Sequence, residues 1–201
     1  MLLSDREIRE LCTLADWQVK SGYTPMIEPF SEGVSGDGVI SYGLSHAGYD
    51  LRLASEILIF KNSFNETVDP KLFGDAAYRA RVFDECAVAV HSAVVIPPHG
   101  YILGRSLEYL RIPRSLKGRC VGKSTLARSG ILVNTTPLEP GWEGHLTIEI
   151  GNITPCPAKV YVGEGIAQLE FETLSSPPDC DYGDKRGKYQ GQRGVTPSIV
   201  L

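Results

Sequence analysis

Paired cysteines are missing from this chain of 201 residues: Cys12, Cys86, Cys120, Cys156 and Cys180 are scattered, odd in number, and form no Cys-x-x-Cys. That usage suits a reducing compartment. No apolar run approaches the roughly 18 residues of a membrane-spanning helix, and the first residues lack the basic start and continuous apolar stretch of a signal peptide. A soluble, cytoplasmic protein is expected. An excess of positive charge is missing as well. With 20 Lys and Arg against 24 Asp and Glu, the formal net charge is -4, which argues against a general binder of nucleic-acid polymers. No segment repeats with a period of about 20–50 residues, so solenoids and propellers are excluded. The length suits one domain over residues 1–201.

What is there is mostly short strands between Gly and Pro turns. Ser4 and Glu7 fit a capping box, followed by Ile8, Leu11, Cys12 and Ala15 at helical spacing, so the chain opens with a short amphipathic helix. Residues 21–38 carry Gly22, Pro25, Pro29, Gly33, Gly36 and Gly38 and read as irregular chain. Strands are expected from Val39 onward: through Tyr49–Phe60, over Ala87–Ile96, and as Tyr101–Arg105 and Leu107–Ile112 around a hinge at Ser106. Lys71–Glu85 fits helix and loop equally. Ala158–Val162 and Ile166–Glu172, joined by Gly163-Glu164-Gly165, have the signature of a hairpin. This pattern favours a β sandwich or barrel with small helices.

The stretch Gly122–Ile150 concentrates the chemistry. Lys123, Ser124, Thr125 and Arg128 lie between Gly122 and Gly130, and two cations with two hydroxyls suit the oxygens of a phosphate chain. A P-loop is excluded, because Lys117 stands where its first glycine must be. The competing reading makes Ser124 a helix cap and the two cations ordinary surface charges. Further on, alternation puts Leu146, Ile148 and Ile150 on one face of a strand and His145, Thr147 and Glu149 on the other. The apolar three go to a core. Glu149 is then either a solvated carboxylate or a group held at a site. Residues 177–201 are rich in Gly, Lys and Arg and poor in apolar side chains, so they read as a frayed tail or as a lid.

Several runs decide between these readings. Val121–Arg128, Val133–Pro140, Trp142–Glu149, Ile40–Leu44 with Gly48–Asp50, Gly163–Gln168 and Gly187–Val195 together resemble the motifs of the dCTP deaminases, in family order from about Met26 to Val195. The resemblance implies a mainly β fold, a distorted jelly-roll β barrel of the dUTPase type with a few short helices. It also implies a homotrimer with active sites at subunit boundaries, and deamination of dCTP to dUTP and ammonia in the supply of thymidylate. Lys123, Ser124, Thr125, Leu126, Ala127 and Arg128 would contact the nucleotide from one side, and Thr147, Ile148 and Glu149 would read the base. Gln168, Tyr182, Lys188 and Gln192 would meet phosphate and sugar, Glu139 the sugar 3′-hydroxyl, and residues 177–201 would close as a lid. Mg²⁺ would arrive on the triphosphate, and dTTP is the feedback inhibitor the resemblance implies.

Removing the amino group from a cytosine ring requires water at C4 and a group to carry its proton. Zinc deaminases use a His/Cys-x-Glu and a Pro-Cys-x-x-Cys. Neither is here: Pro155-Cys156 is followed by Pro157, Ala158 and Lys159, and none of His46, His91, His99 or His145 has a Glu two residues on. Glu149 is therefore the expected general base and then general acid, with Ser124 and Arg128 orienting water or carbonyl. The loop Ser129–Leu138 is short, so a carbonyl that helps hold the water falls to Thr135 or Thr136. Glu139 stands where many members have Asp. Two other functions stay open: a bifunctional relative that carries dUTP on to dUMP and pyrophosphate, and a silent trimer that only binds nucleotide.

Overall fold

The computed structural model describes residues 1–13, 21–134 and 136–200. Among the described residues the chain forms three antiparallel sheets. The first contains β1 (Ile27–Glu28), β5 (Glu56–Phe60), β6 (Phe83–Ala87), β8 (Tyr101–Arg111), β10 (Ile131–Val133) and β12 (Glu143–Asn152), in the order β10-β12-β8-β5-β6 with β1 also on β8. The second contains β2 (Val34–Gly36), β3 (Val39–Ser45), β4 (Gly48–Arg52), β9 (Leu116–Gly122), β11 (Thr136–Leu138) and β14 (Gly165–Thr173), in the order β11-β9-β14-β4-β3-β2. A two-stranded sheet pairs β7 (Ala93–Ile96) with β13 (Ala158–Tyr161). The architecture is mainly β, as expected. Among the described residues no closed ring of pairings joins the sheets.

Alternation makes the core. From β12, Leu146, Ile148 and Ile150 are buried, and they meet Leu169 and Phe171 of β14, Tyr49 and Leu51 of β4, and Ile102 and Leu110 of β8 in one cluster. Helix α1 (Asp5–Cys12) adds Ile8 and Cys12 to it, and its start is held by Glu7, whose carboxylate accepts the Ser4 N–H at 2.9 Å. Ala15, assigned to the same helix from the sequence, lies outside the described residues. A second, smaller cluster gathers Phe73, Tyr78, Val82 and Phe83 with Leu103. It forms around α2 (Ala76–Val82), where Asp75 caps the helix by accepting from Ala77 N and Tyr78 N. So Lys71–Glu85, ambiguous in sequence, is turn over residues 71–74, a helix capped by Asp75, and then the start of β6.

Four strand expectations change. Residues 158–172 are not a hairpin, because β13 pairs with β7 while β14 pairs with β4 and β9. Gly163-Glu164-Gly165 is a corner between sheets: the Glu164 carboxylate accepts Ile40 N at 2.8 Å, and a side chain at Gly165 would run into the Ser41 carbonyl. Ala87–Ile96 is broken by a turn in which Ser92 N bonds Ala89 O and His91 is left-handed, φ 63°. Tyr49–Phe60 likewise divides between two sheets at Leu53 and Ala54. Tyr101–Arg111, by contrast, is one continuous strand, and Ser106 is no hinge. The register against β12 slips between His145 and Thr147, and buried Ser106 Oγ repairs the slip, accepting Leu146 N at 2.9 Å and donating to Glu108 O at 2.7 Å.

Residues 21–38 hold only the two short strands β1 and β2. The segment after Ser176 contains turns but no helix or strand through Val200, and it nonetheless packs on the body. Tyr182 N bonds Pro140 O, Gly191 N bonds Glu143 O, and His145 N bonds Gln192 O, each at 2.8–2.9 Å.

Candidate active site

β12 carries the carboxylate that the alternation singled out. Glu149 pairs in register with Leu103 of β8, and its carbonyl accepts Asn134 N at 3.0 Å, so its backbone is fixed on both sides. Its side chain enters a cavity of about 480 Å³ with Thr147 and Glu139, under Tyr182 and Gln192 of the C-terminal tail. Much of the rest of the lining is apolar: Leu103 beside Glu149 on the same sheet face, with Phe60, Phe73 and Phe83. Burial raises the Glu149 carboxyl above its ordinary value. Low polarity disfavours the charged form, and among the described residues no Lys, Arg or His lines the cavity to offset it. A carboxyl whose proton affinity is lifted this way can give back a proton it has taken.

The tail builds the roof by hydrogen bonds to β12 and its approach. Trp142 Nε1 donates to Tyr189 O at 2.9 Å, Gln192 Nε2 to His145 O at 2.7 Å, and Thr196 N to Thr147 Oγ1 at 3.1 Å. Gln192 Oε1 is buried without a partner among the described residues. Leaving such an acceptor unmade costs about 1–3 kcal/mol, so this oxygen is set for a donor that a ligand can bring.

The basic stretch departs from its local reading: Ser124 is the first helical residue and caps nothing, and Lys123 is no surface charge, whereas Arg128 is exposed. Lys123 stands at the N-cap of α3 (Ser124–Ala127), and its ammonium is paired with buried Asp50 of β4. Leu126 faces the core, as does Ile148, so those two can meet a ligand only through their backbones. Ser124, Thr125, Ala127 and Arg128 are exposed, and among the described residues the Arg128 side chain has no hydrogen-bond or ion-pair partner. None of residues 123–128 lines the Glu149 cavity. Gln168, bonded to Ser45 Oγ at 3.1 Å, and Lys188, bonded to Ile199 O at 2.8 Å, also lie outside its lining. One chain thus unites Glu139, Thr147, Glu149, Tyr182 and Gln192 and leaves the other predicted residues apart from them. Thr135 lies outside the described residues, and Thr136 lines the cavity.

Residues 2–174 match the family model described as dCTP deaminase-like. The chain belongs to that family. A dCTP deaminase from Rhizorhabdus wittichii is 49% identical over 195 residues, covering 97% of each chain. A dCTP deaminase from Chlamydia pneumoniae is 46% identical over 202 residues, covering 98% of this chain and 97% of that one. Among solved structures, a 2′-deoxycytidine 5′-triphosphate deaminase from Agrobacterium tumefaciens shares the fold, with a TM-score of 0.55 at 19% identity. That match covers 86% of this chain and 48% of the Agrobacterium chain, so this chain spans about half of its length. The family model ends at residue 174, before the tail that roofs the cavity, whereas the two sequence relatives are matched over nearly the whole chain.

Sequence reasoning missed part of the lining. Trp142 sat inside a quoted motif without a role, and its position between β11 and β12 is what brings it under the tail. Tyr101 and the aromatic side chains around α2 carried no motif at all. Among the described residues no group of three or more His, Cys, Asp or Glu is placed to hold a metal ion, and no helix is long and apolar enough to cross a membrane.

Proposed function

We propose that the chain is a dCTP deaminase that converts dCTP and water to dUTP and ammonia. The observation that carries this is Glu149, a half-buried carboxyl of raised proton affinity in a nucleotide-sized cavity, in a chain whose relatives are named for that activity. Glu149 takes a proton from water as its oxygen bonds to C4 of the ring. The same proton goes to the ring nitrogen, and a second transfer lets the amino group leave as ammonia while the C4 carbonyl forms. The side chains of Thr147 and Glu149 and the backbone through Ile148 face the base. Glu139 meets the sugar, Tyr182 and Gln192 of the same chain meet sugar and phosphates, and Gln168 and Lys188, which lie outside this lining, join them from a neighbouring copy. The substrate brings its own Mg²⁺ on the triphosphate oxygens.

The active form is a homotrimer. Lys123 to Arg128 of one copy complete the cavity of its neighbour, where Ser124 and Arg128 orient the water and the carbonyl. Support comes from the separation within one chain: Ser124 and Arg128 are exposed and outside the cavity that holds Glu149. Residues 177–201 act as the lid that shields the reaction. The enzyme works in the cytoplasm, and dTTP inhibits it by occupying the substrate's place.

The test incubates the purified protein with dCTP and Mg²⁺, resolves the nucleotides and measures ammonia. Ammonia in step with dUTP is the expected result. Accumulation of dUMP and pyrophosphate would replace it with the bifunctional reading, and nucleotide binding without turnover would overturn it.

A further inference from the structure

We propose that Tyr101 is a positioning residue for Glu149: its ring, lying beside Gly151 and braced by Phe60, walls the carboxyl off from water on the β8 side. The proposal rests on Glu149 being the proton carrier of the deamination. In the β8–β12 register Tyr101 pairs with Gly151, Ile102 with Ile150, and Leu103 with Glu149. Paired residues face the same way and neighbours alternate, so Tyr101, Leu103, Glu149 and Gly151 share one face while fully buried Ile102 and Ile150 share the other.

The ring lies beside Gly151: a Cβ built there would meet Tyr101 Cδ2 at 3.5 Å, an ordinary contact, so the ring borders the place above that glycine. That place adjoins Glu149, two residues back on the same face. Phe60 meets the Tyr101 ring edge-on at 5.5 Å and 73°, Phe83 meets Phe60 at 4.5 Å, and Phe73 stacks on Phe83 at 5.5 Å. The segment around α2 thereby reaches Glu149 through a chain of rings. All four rings line the cavity.

Burial raises both groups, Tyr101 to about 12, and the Glu149 charge adds to the Tyr101 shift. Other titratable groups face the carboxyl too. On β9, the Cys120 thiol is pushed up to about 12 by burial and by the Glu149 charge. Glu139 enters from the connection between β11 and β12, and Tyr182 and Tyr189 from the tail. None of these supplies the apolar side of the wall; on the β8 side that falls to Tyr101 and Leu103.

The experiment compares Tyr101→Phe, Tyr101→Ser and Phe60→Ala with the wild type in the full-length protein. Two readouts are taken: the pH profile of kcat/KM for ammonia release from dCTP, and titration of the Glu149 carboxyl by ¹³C NMR, its signal identified by its loss in Glu149→Gln. Tyr101→Phe should keep both curves. Tyr101→Ser should move the acid limb and the NMR titration together to lower pH and cut kcat roughly tenfold at neutral pH. Phe60→Ala, which leaves β8 intact, should shift both the same way by less, and it carries the test if Tyr101→Ser does not fold. An unmoved NMR titration in Tyr101→Ser and Phe60→Ala overturns the proposal. So does Tyr101→Phe shifting as far as Tyr101→Ser, since the hydroxyl and not the ring would then be responsible. If the wild type releases no ammonia, the deaminase reading fails, while the NMR titration still decides whether Tyr101 walls the carboxyl.

Discussion

Glu149 sits where a carboxylate costs stability, which is how active sites differ from the rest of a core. Because burial raises its value in the folded chain, the folded state holds a proton that the unfolded state releases. The penalty is therefore full above the folded value and fades as pH falls to the ordinary carboxylate range. Glu149→Gln should lose at least about 100-fold in deamination. It should also melt on the order of 2 °C higher at neutral pH, with the gap closing on acidification. Calorimetry across pH checks this. A wild type that melts higher than the variant at neutral pH would mean that a cation from another copy rests on Glu149. The residue itself was legible, because strand alternation sets it apart from Leu146, Ile148 and Ile150. Tyr101 was not. Its place depends on pairing with Gly151, and register between distant strands leaves no mark on either segment alone.

Strands were easier to find than their partners. Alternation reports which face of a strand is buried, but both faces of a corner such as Gly163-Glu164-Gly165 look like those of a hairpin, since each requires a tight turn between alternating runs. What decides is the long-range bond from Ile40 N to the Glu164 carboxylate. A second such device ties β4 to β8. Arg52 Nε and Arg52 N both donate to the fully buried Glu108 carboxylate, at 2.6 and 3.0 Å. Burial pushes Glu108 up, whereas the carboxylate beside it holds Arg52 above its ordinary value. Removing one partner strands the other, so Glu108→Ala should cost about 3–5 kcal/mol, and the double replacement Arg52→Met with Glu108→Leu should cost less than that single change. Urea unfolding of the wild type and the two variants measures the difference.

At the scale of the whole molecule, the predicted site is divided: one cavity holds Glu149, and an exposed helix holds Ser124 and Arg128. If the missing half comes from another copy, Glu149→Gln and Arg128→Ala are each inactive alone. Mixed assemblies formed by co-expression should regain about a quarter of wild-type activity, the share of sites that draw both residues from intact sources. No regain on mixing would mean that each chain completes its own site. The sequence held every residue of both halves, yet nothing in a single chain's periodicity says which copy a side chain serves.

The roof of the cavity also has an optical signature. The Trp142 indole is 5% exposed and donates to the Tyr189 carbonyl of the tail, so this chromophore is clamped between the body and the segment that covers it. Once Trp17, the other tryptophan of the chain, is replaced by Phe, emission comes from Trp142 alone. Lifting the tail exposes the indole to water and moves its fluorescence to the red; seating it moves the emission back. The indole is thus a built-in reporter, with no label attached, for the proposed movement of the tail: a steady emission through a cycle with dCTP would mean that the tail stays seated.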